Sequence, residues 1–348
     1  MRKNMVSFES DYNNGAVPEI LERLAKTNDE RSSGYGYDRY TESAAKKIAL
    51  ECGLDTVEVS FLVGGTQTNM AVIDSLLLGC QGVICCDTGH IAVHESGAVE
   101  SCGHKVIALP GKDSKLEAQT LENYLEGFEA DETCLHQVQP GMVYISFPTE
   151  AGMLYSKSEL DAIYKVCKKH GLYLYIDGAR LGYALMAPGN DVTLKHLASH
   201  CDVFYIGGTK VGALFGEAVV FTNTRAPKFF FTEIKRHGAL LAKGRLLGLQ
   251  FDTLFTDGLY YTISKHAIDC AMQLREIFKK HGFEFGIDSP TNQQFVILTK
   301  DQRKALSKKL AFELWSPLEG EKLLCRFVTS WATTAEDLKT LDEALGAL

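Results

Sequence analysis

Seven short apolar runs, each about one strand long and separated by stretches with helical spacing, constrain this chain more than any other feature. They fall at 57–63, 83–87, 105–109, 142–146, 172–177, 203–206 and 218–221. Strands that alternate with helices specify a mostly parallel sheet covered by helices, because parallel neighbours need crossover connections. The segment 156–170 shows the pattern clearly, with apolar Leu160, Ile163, Tyr164 and Cys167 on one helical face. Ser156 and Glu159 have capping-box spacing, and Gly171 stands where a helix ends. A long amphipathic helix at 259–281 ends at Gly282 and precedes strands at 294–299 and 323–330 and a last helix from about Ala335. The expected architecture is α/β, with a large domain over 1–258 and a smaller C-terminal domain over 259–348. Ligands of such folds bind beyond the carboxyl ends of the strands.

Bulk properties remove several function classes. The net charge of −8 argues against a nucleic-acid surface. No apolar run approaches the roughly 18 residues of a membrane span, and residues 1–12 lack the apolar stretch of a signal peptide. The 10 cysteines include no C-x-x-C pair and mostly sit in apolar runs, so buried thiols are expected and no metal site. A soluble cytoplasmic protein is the expectation.

Four stretches carry chemistry. In Leu174-Tyr175-Ile176-Asp177-Gly178-Ala179-Arg180 an apolar strand delivers a carboxylate at its end. Asp177 either caps a loop or pairs with a protonated pyridine nitrogen, keeping that ring cationic and able to accept electrons. Lys210 comes 33 positions later in Tyr205-Ile206-Gly207-Gly208-Thr209-Lys210, where small residues leave space for a flat aldehyde. It is either a surface lysine or a Schiff-base lysine, and the order of the two motifs favours the second and hence pyridoxal phosphate. Gly64-Gly65-Thr66-Gln67-Thr68-Asn69 lies between a strand and a helix, where free N–H groups suit a phosphate. It matches neither the dinucleotide nor the Walker pattern. His90 follows another strand and can stack on a pyridine ring or handle a proton, whereas His94 reads as structural.

With these motifs in hand, the chain resembles the L-threonine aldolases, pyridoxal-phosphate enzymes of fold type I, and their branch that includes phenylserine aldolase. The resemblance runs from Glu9-Ser10-Asp11 and Gly34-Tyr35-Gly36-Tyr37-Asp38 through the four stretches above. It continues over Gly238-Ala239-Leu240-Leu241-Ala242-Lys243-Gly244-Arg245 to Arg326-Phe327-Val328-Thr329-Ser330-Trp331. It implies a transferase-like large domain with a mostly parallel seven-stranded sheet and a smaller α+β domain. Lys210 would carry the cofactor, Asp177 would pair with its nitrogen and His90 would stack on it. The backbone around Gly65 and Thr66 would take the phosphate, with Lys243 or Arg236 adding charge from a neighbouring subunit, and Thr209 would also contact the cofactor. Arg180 would contact cofactor and substrate, and Ser10 and Arg326 would join it on the substrate carboxylate. Tyr35 would reach a partner's site, so a homodimer or homotetramer is implied.

One departure stands out. Where many threonine aldolases place a second histidine, this chain has Glu150. A carboxylate there can still take a proton from a β-hydroxyl. The implied reaction splits a β-hydroxy-α-amino acid into glycine and an aldehyde. The rivals are a β-eliminating lyase or racemase at the same site, and a cofactor-binding protein without turnover.

Overall fold

The computed structural model describes residues 5–54, 58–222 and 225–348. In chain order the strands are β1 (Val6–Ser7), β2 (Glu58–Leu62), β3 (Gln81–Cys86), β4 (Val106–Leu109), β5 (Gln139–Ser146), β6 (Tyr173–Asp177) and β7 (Val203–Gly207). Then come β8 (Glu217–Phe221), β9 (Phe285–Ile287), β10 (Gln293–Thr299), β11 (Leu310–Ala311), β12 (Glu313–Pro317) and β13 (Lys322–Val328). All seven apolar runs of the large domain are strands, although Val57 lies outside the described residues. Together they form one sheet in the order β2-β8-β7-β6-β5-β3-β4. Only β8 runs against the others, pairing antiparallel with both β2 and β7.

Alternation along these strands builds two cores. Val143, Ile145, Leu174 and Ile176 face one side, while Met142, Tyr144 and Tyr175 face the other. The crossover helix Lys157–Lys169 begins with the full capping box of Ser156 and Glu159. Just past it Gly171 takes φ +70°, the left-handed conformation that ends many helices.

A smaller C-terminal sheet has the order β12-β13-β10-β9 and is antiparallel throughout. The helix Leu259–Lys280 ties it to the large domain, since Tyr260, Ala267 and Ile268 enter one core while Leu274 and Phe278 enter the other. Burying Ile268, Leu274 and Phe278 contributes roughly 1.5–3 kcal/mol each. The sequence reading passed over β1, β9, β11 and β12, which have two to five residues and too little apolar alternation to show. The pairing of β1 with β11 takes the N-terminal segment to the C-terminal sheet, and Val328 N–H bonds the Phe8 carbonyl. From there the segment turns back toward the strand ends of the large sheet.

Candidate active site

Two cavities adjoin at those strand ends and share His90, Glu150, Arg180 and Lys210 in their walls. The inner one, about 190 Å³, adds Gly65, Thr66, Asp177, Thr209 and Glu217. The outer one, about 250 Å³, adds Tyr12, His94, Glu313, Trp315 and Arg326. Lys210 therefore stands at their junction.

Asp177 ends the central strand β6, buried at the floor of the inner cavity. Its Oδ2 accepts hydrogen bonds from Tyr144 Oη at 2.5 Å and Asn69 Nδ2 at 3.2 Å, and its Oδ1 accepts from Ala179 N–H at 3.0 Å. Burial opposes the negative charge, yet the His90 ring and the hydroxyls of Tyr144 and Tyr205 outweigh it and hold the carboxyl below its usual range. Asp177 is thus an anion, and Oδ1 keeps a lone pair for a cation in the cavity. Asn69 is fixed in turn, accepting from Tyr175 Oη at 2.7 Å and donating to Glu95 at 2.7 Å. Glu95 also meets His90 Nδ1 at 2.7 Å and so sets the ring's orientation.

Lys210 follows β7 by three residues. Burial lowers its ammonium pKa and the Arg180 guanidinium lowers it further, with Asp11, Asp177 and Glu217 pulling the other way. A lysine depressed in this manner has more of the neutral amine that attacks an aldehyde. The glycines before it have a different reason from the one that the sequence suggests. A Cβ on Gly207 would stand 2.1 Å from the Ala179 carbonyl oxygen, and one on Gly208 would stand 2.7 Å from the Gly216 oxygen. They allow backbone to pack on backbone rather than clear the ligand's path.

At the other end of the inner cavity the helix Gly65–Leu76 begins without a side-chain cap. Its first N–H groups suit a phosphate, and a Cβ on Gly65 would come within 3.2 Å of Tyr205 Oη. Anion seat, amine and buried carboxylate line one cavity, which is the donor set that pyridoxal phosphate requires.

Glu150 is held by Ser146 Oγ at 2.6 Å and His90 N–H at 2.9 Å, both on Oε1. Burial raises its pKa and the Asp177 charge adds to this, while Ser146 and His90 pull it down. The two arginines differ. Arg180 spends its fork on Asp11, with Nε–Oδ2 at 2.6 Å and Nη2–Oδ1 at 3.0 Å. Arg326 bonds Gln293 at 2.7 Å and Glu313, and lies over the Trp315 ring at 5.0 Å. Its Nε is buried without a partner.

Other expected residues lie apart from these walls. Ser10 is buried nearby, with Oγ accepting Tyr12 N–H at 3.2 Å. Tyr35 is exposed at φ +58° and lies under Lys235. Lys243 lines a separate cavity, and Arg236 pairs with Asp74 and Glu233. Sequence reasoning missed Asn69, Glu95, Tyr144 and Glu217 as partners of the site, and His94 enters the outer cavity beside Trp315 with ring centroids 6.4 Å apart. Asn69 and Glu95 stand inside or beside motifs already quoted but had no role assigned, and it is the ordering of the strands that sets Tyr144 and Glu217 at the site.

The chain matches the beta-eliminating lyase family over residues 7–312. It belongs to that family. This lyase is 30% identical to the low specificity L-threonine aldolase of a Pseudomonas species, over 94% of this chain and 95% of the relative. The low specificity L-threonine aldolase of Pseudomonas aeruginosa is 28% identical over 98% of this chain and 97% of its own. Its structure superposes on the threonine aldolase of Leishmania major with TM-score 0.95 at 38% identity, covering 98% of this chain and 99% of that one. The aspartate aminotransferase of Thermus thermophilus shares the fold, with TM-score 0.71 at 15% identity and coverage of 99% and 91%. The lyase is pyridoxal-phosphate dependent, as its family is. Among the described residues no helix is long and apolar enough to cross a membrane.

Proposed function

We propose that this lyase cleaves threonine, allo-threonine or a related β-hydroxy-α-amino acid to glycine and an aldehyde. The observation that carries the reading is the placement of Lys210 between a cofactor-sized inner cavity and an outer cavity walled by two arginines, Arg180 and Arg326. Pyridoxal phosphate bound in the inner cavity would supply a cationic ring able to accept electrons. Lys210 would anchor it, Asp177 would keep its ring nitrogen protonated, and the start of the helix Gly65–Leu76 with Thr66 would receive the phosphate, with Thr209 also in contact. His90, oriented by Glu95, would lie against the ring.

Arg326 and Arg180, both in the wall of the outer cavity, would hold the substrate carboxylate with Ser10 and so orient the bond to be broken. Asp11 fixes the Arg180 guanidinium. Glu150 takes the β-hydroxyl proton at Oε2, since Oε1 is committed to Ser146 and His90. Its raised pKa makes it a stronger base than a surface carboxylate. The division into 1–258 and 259–348 assigns the cofactor to the first part and the carboxylate clamp to the second. Tyr35 and Lys243, outside the inner and outer cavities, serve a neighbouring subunit in a homodimer or homotetramer. The thiols, seven of 10 buried and none bridged, suit the cytoplasm.

A panel of threonine, allo-threonine, phenylserine and serine, scored for glycine and aldehyde against ammonia and keto acid, tests this. Glycine from the β-hydroxy substrates is expected. Ammonia and keto acid without glycine would establish β-elimination instead, and racemised substrate alone would establish a racemase. Borohydride reduction followed by peptide mapping should find the cofactor on Lys210.

A further inference from the structure

Away from both cavities, a second cluster joins two helices. His196 lies on the short helix Leu194–Ser199, His200 is its C-cap, and Asp161 comes from the helix Lys157–Lys169. The histidines are four residues apart and therefore share a face. Their rings stack with centroids 4.3 Å apart and planes at 19°. Asp161 Oδ1 is 3.1 Å from His196 Nε2 and 3.6 Å from His200 Nε2, and one such atom from each residue lies within 4.8 Å of the others.

This contact is close without being a hydrogen bond. Asp161 Oδ1 and His196 Nε2 are both buried and neither has a hydrogen-bond partner. His200 Nδ1 is engaged on the far side of its ring, 2.9 Å from Ser199 Oγ and 3.1 Å from the His196 carbonyl oxygen, which leaves Nε2 as the ring atom nearest Asp161. Two imidazole nitrogens and one carboxylate oxygen thus lie together, two of the three buried without a hydrogen-bond partner.

We propose that Asp161, His196 and His200 bind a divalent transition-metal ion, with Zn²⁺ the best fit and the remaining coordination open to water. Tetrahedral Zn²⁺ with bonds of about 2.0–2.2 Å sets its ligand atoms roughly 3.3 Å apart, and the two observed separations of 3.1 and 3.6 Å bracket that value. Imidazole donors select against Mg²⁺ and Ca²⁺, which prefer all-oxygen sites. None of the three residues lines either cavity, so the ion would clamp two connecting helices and raise stability without entering the reaction. A second cluster of Asp74, Cys102 and His237 is a poor competitor, because Asp74 Oδ2 already bonds Arg236 and His237.

The test is calorimetric titration of chelator-treated holoenzyme with Zn²⁺, alongside thermal unfolding. One ion per chain and an upward Tm shift of a few degrees are expected, with at least tenfold weaker binding in His200→Ala and loss in the His196→Ala/His200→Ala pair. Retained cofactor colour and aldolase rate show that the variants are folded. Visible bands of Co²⁺ in the wild type, absent from the pair variant, should report the histidine donors. Stoichiometric binding that survives in the pair variant, or no stoichiometric binding in the wild type, overturns the proposal.

Discussion

Asp177 and Glu217 are both buried carboxyls that line the inner cavity, two strands apart, yet their charge states diverge. Glu217 opens β8 opposite Gly207 and accepts Gly208 N–H at 3.1 Å. Burial pushes its pKa up to about 8, against the pull of Thr209, Lys210 and that N–H. Asp177, equally buried, receives short hydroxyl and amide donors and faces His90, and its pKa falls. Burial alone therefore does not decide ionisation; the donors within bonding distance do. Pairs of groups driven apart in this way are how one site keeps one carboxyl charged and another neutral near pH 7.

Asp177→Asn strikes the contrast hardest. It removes the charge that keeps the cofactor nitrogen protonated, so kcat/KM should fall by about two to three orders of magnitude while cofactor remains bound. Near-normal turnover by this variant would mean that the anion is not what separates the two carboxyls. Tyr144→Phe leaves Asp177 in place but deletes its shortest hydrogen bond. A hydrogen bond to a charged group is worth roughly 1.5–3 kcal/mol, so a loss of about tenfold to a hundredfold in kcat is expected. A cofactor absorbance that titrates at lower pH than in the wild type would accompany it, and an unchanged spectrum and rate would remove Tyr144 from the account.

Glu217→Gln should have the smallest effect on turnover at neutral pH, where the native carboxyl is mostly neutral. Its signature is stability. The folded value of about 8 exceeds the ordinary 4.5, so between those values the native chain keeps a proton that the unfolded chain has released. That contribution is full below 4.5 and disappears as the pH rises through 8. Urea unfolding of the wild type from pH 5 to 9 should show the decline, and Glu217→Gln should flatten it. A parallel decline in the variant would assign the loss to other groups.

The seven strands, the capped helix from Lys157 and the long helix from Leu259 were legible because hydrophobic period and cap chemistry are local. So were Lys210, Asp177, His90 and the glycine turn at Gly65, each standing just beyond a readable strand. Glu217 was not legible, because the reading began that strand one residue late and a single acidic residue announces nothing. Asn69 was visible only as the end of the glycine motif and Tyr144 as an ordinary strand residue until the fold set them beside Asp177. Arg326 was visible as a candidate, but its free Nε depends on Gln293 and Glu313 from two other strands. Thus the sequence by itself determined the seven strands of the large sheet, the fold class and the candidate residues at the strand ends. Only the tertiary structure decided which groups are charged and which guanidinium nitrogen lacks a partner, because ionisation and hydrogen bonding depend on neighbours far apart in the chain.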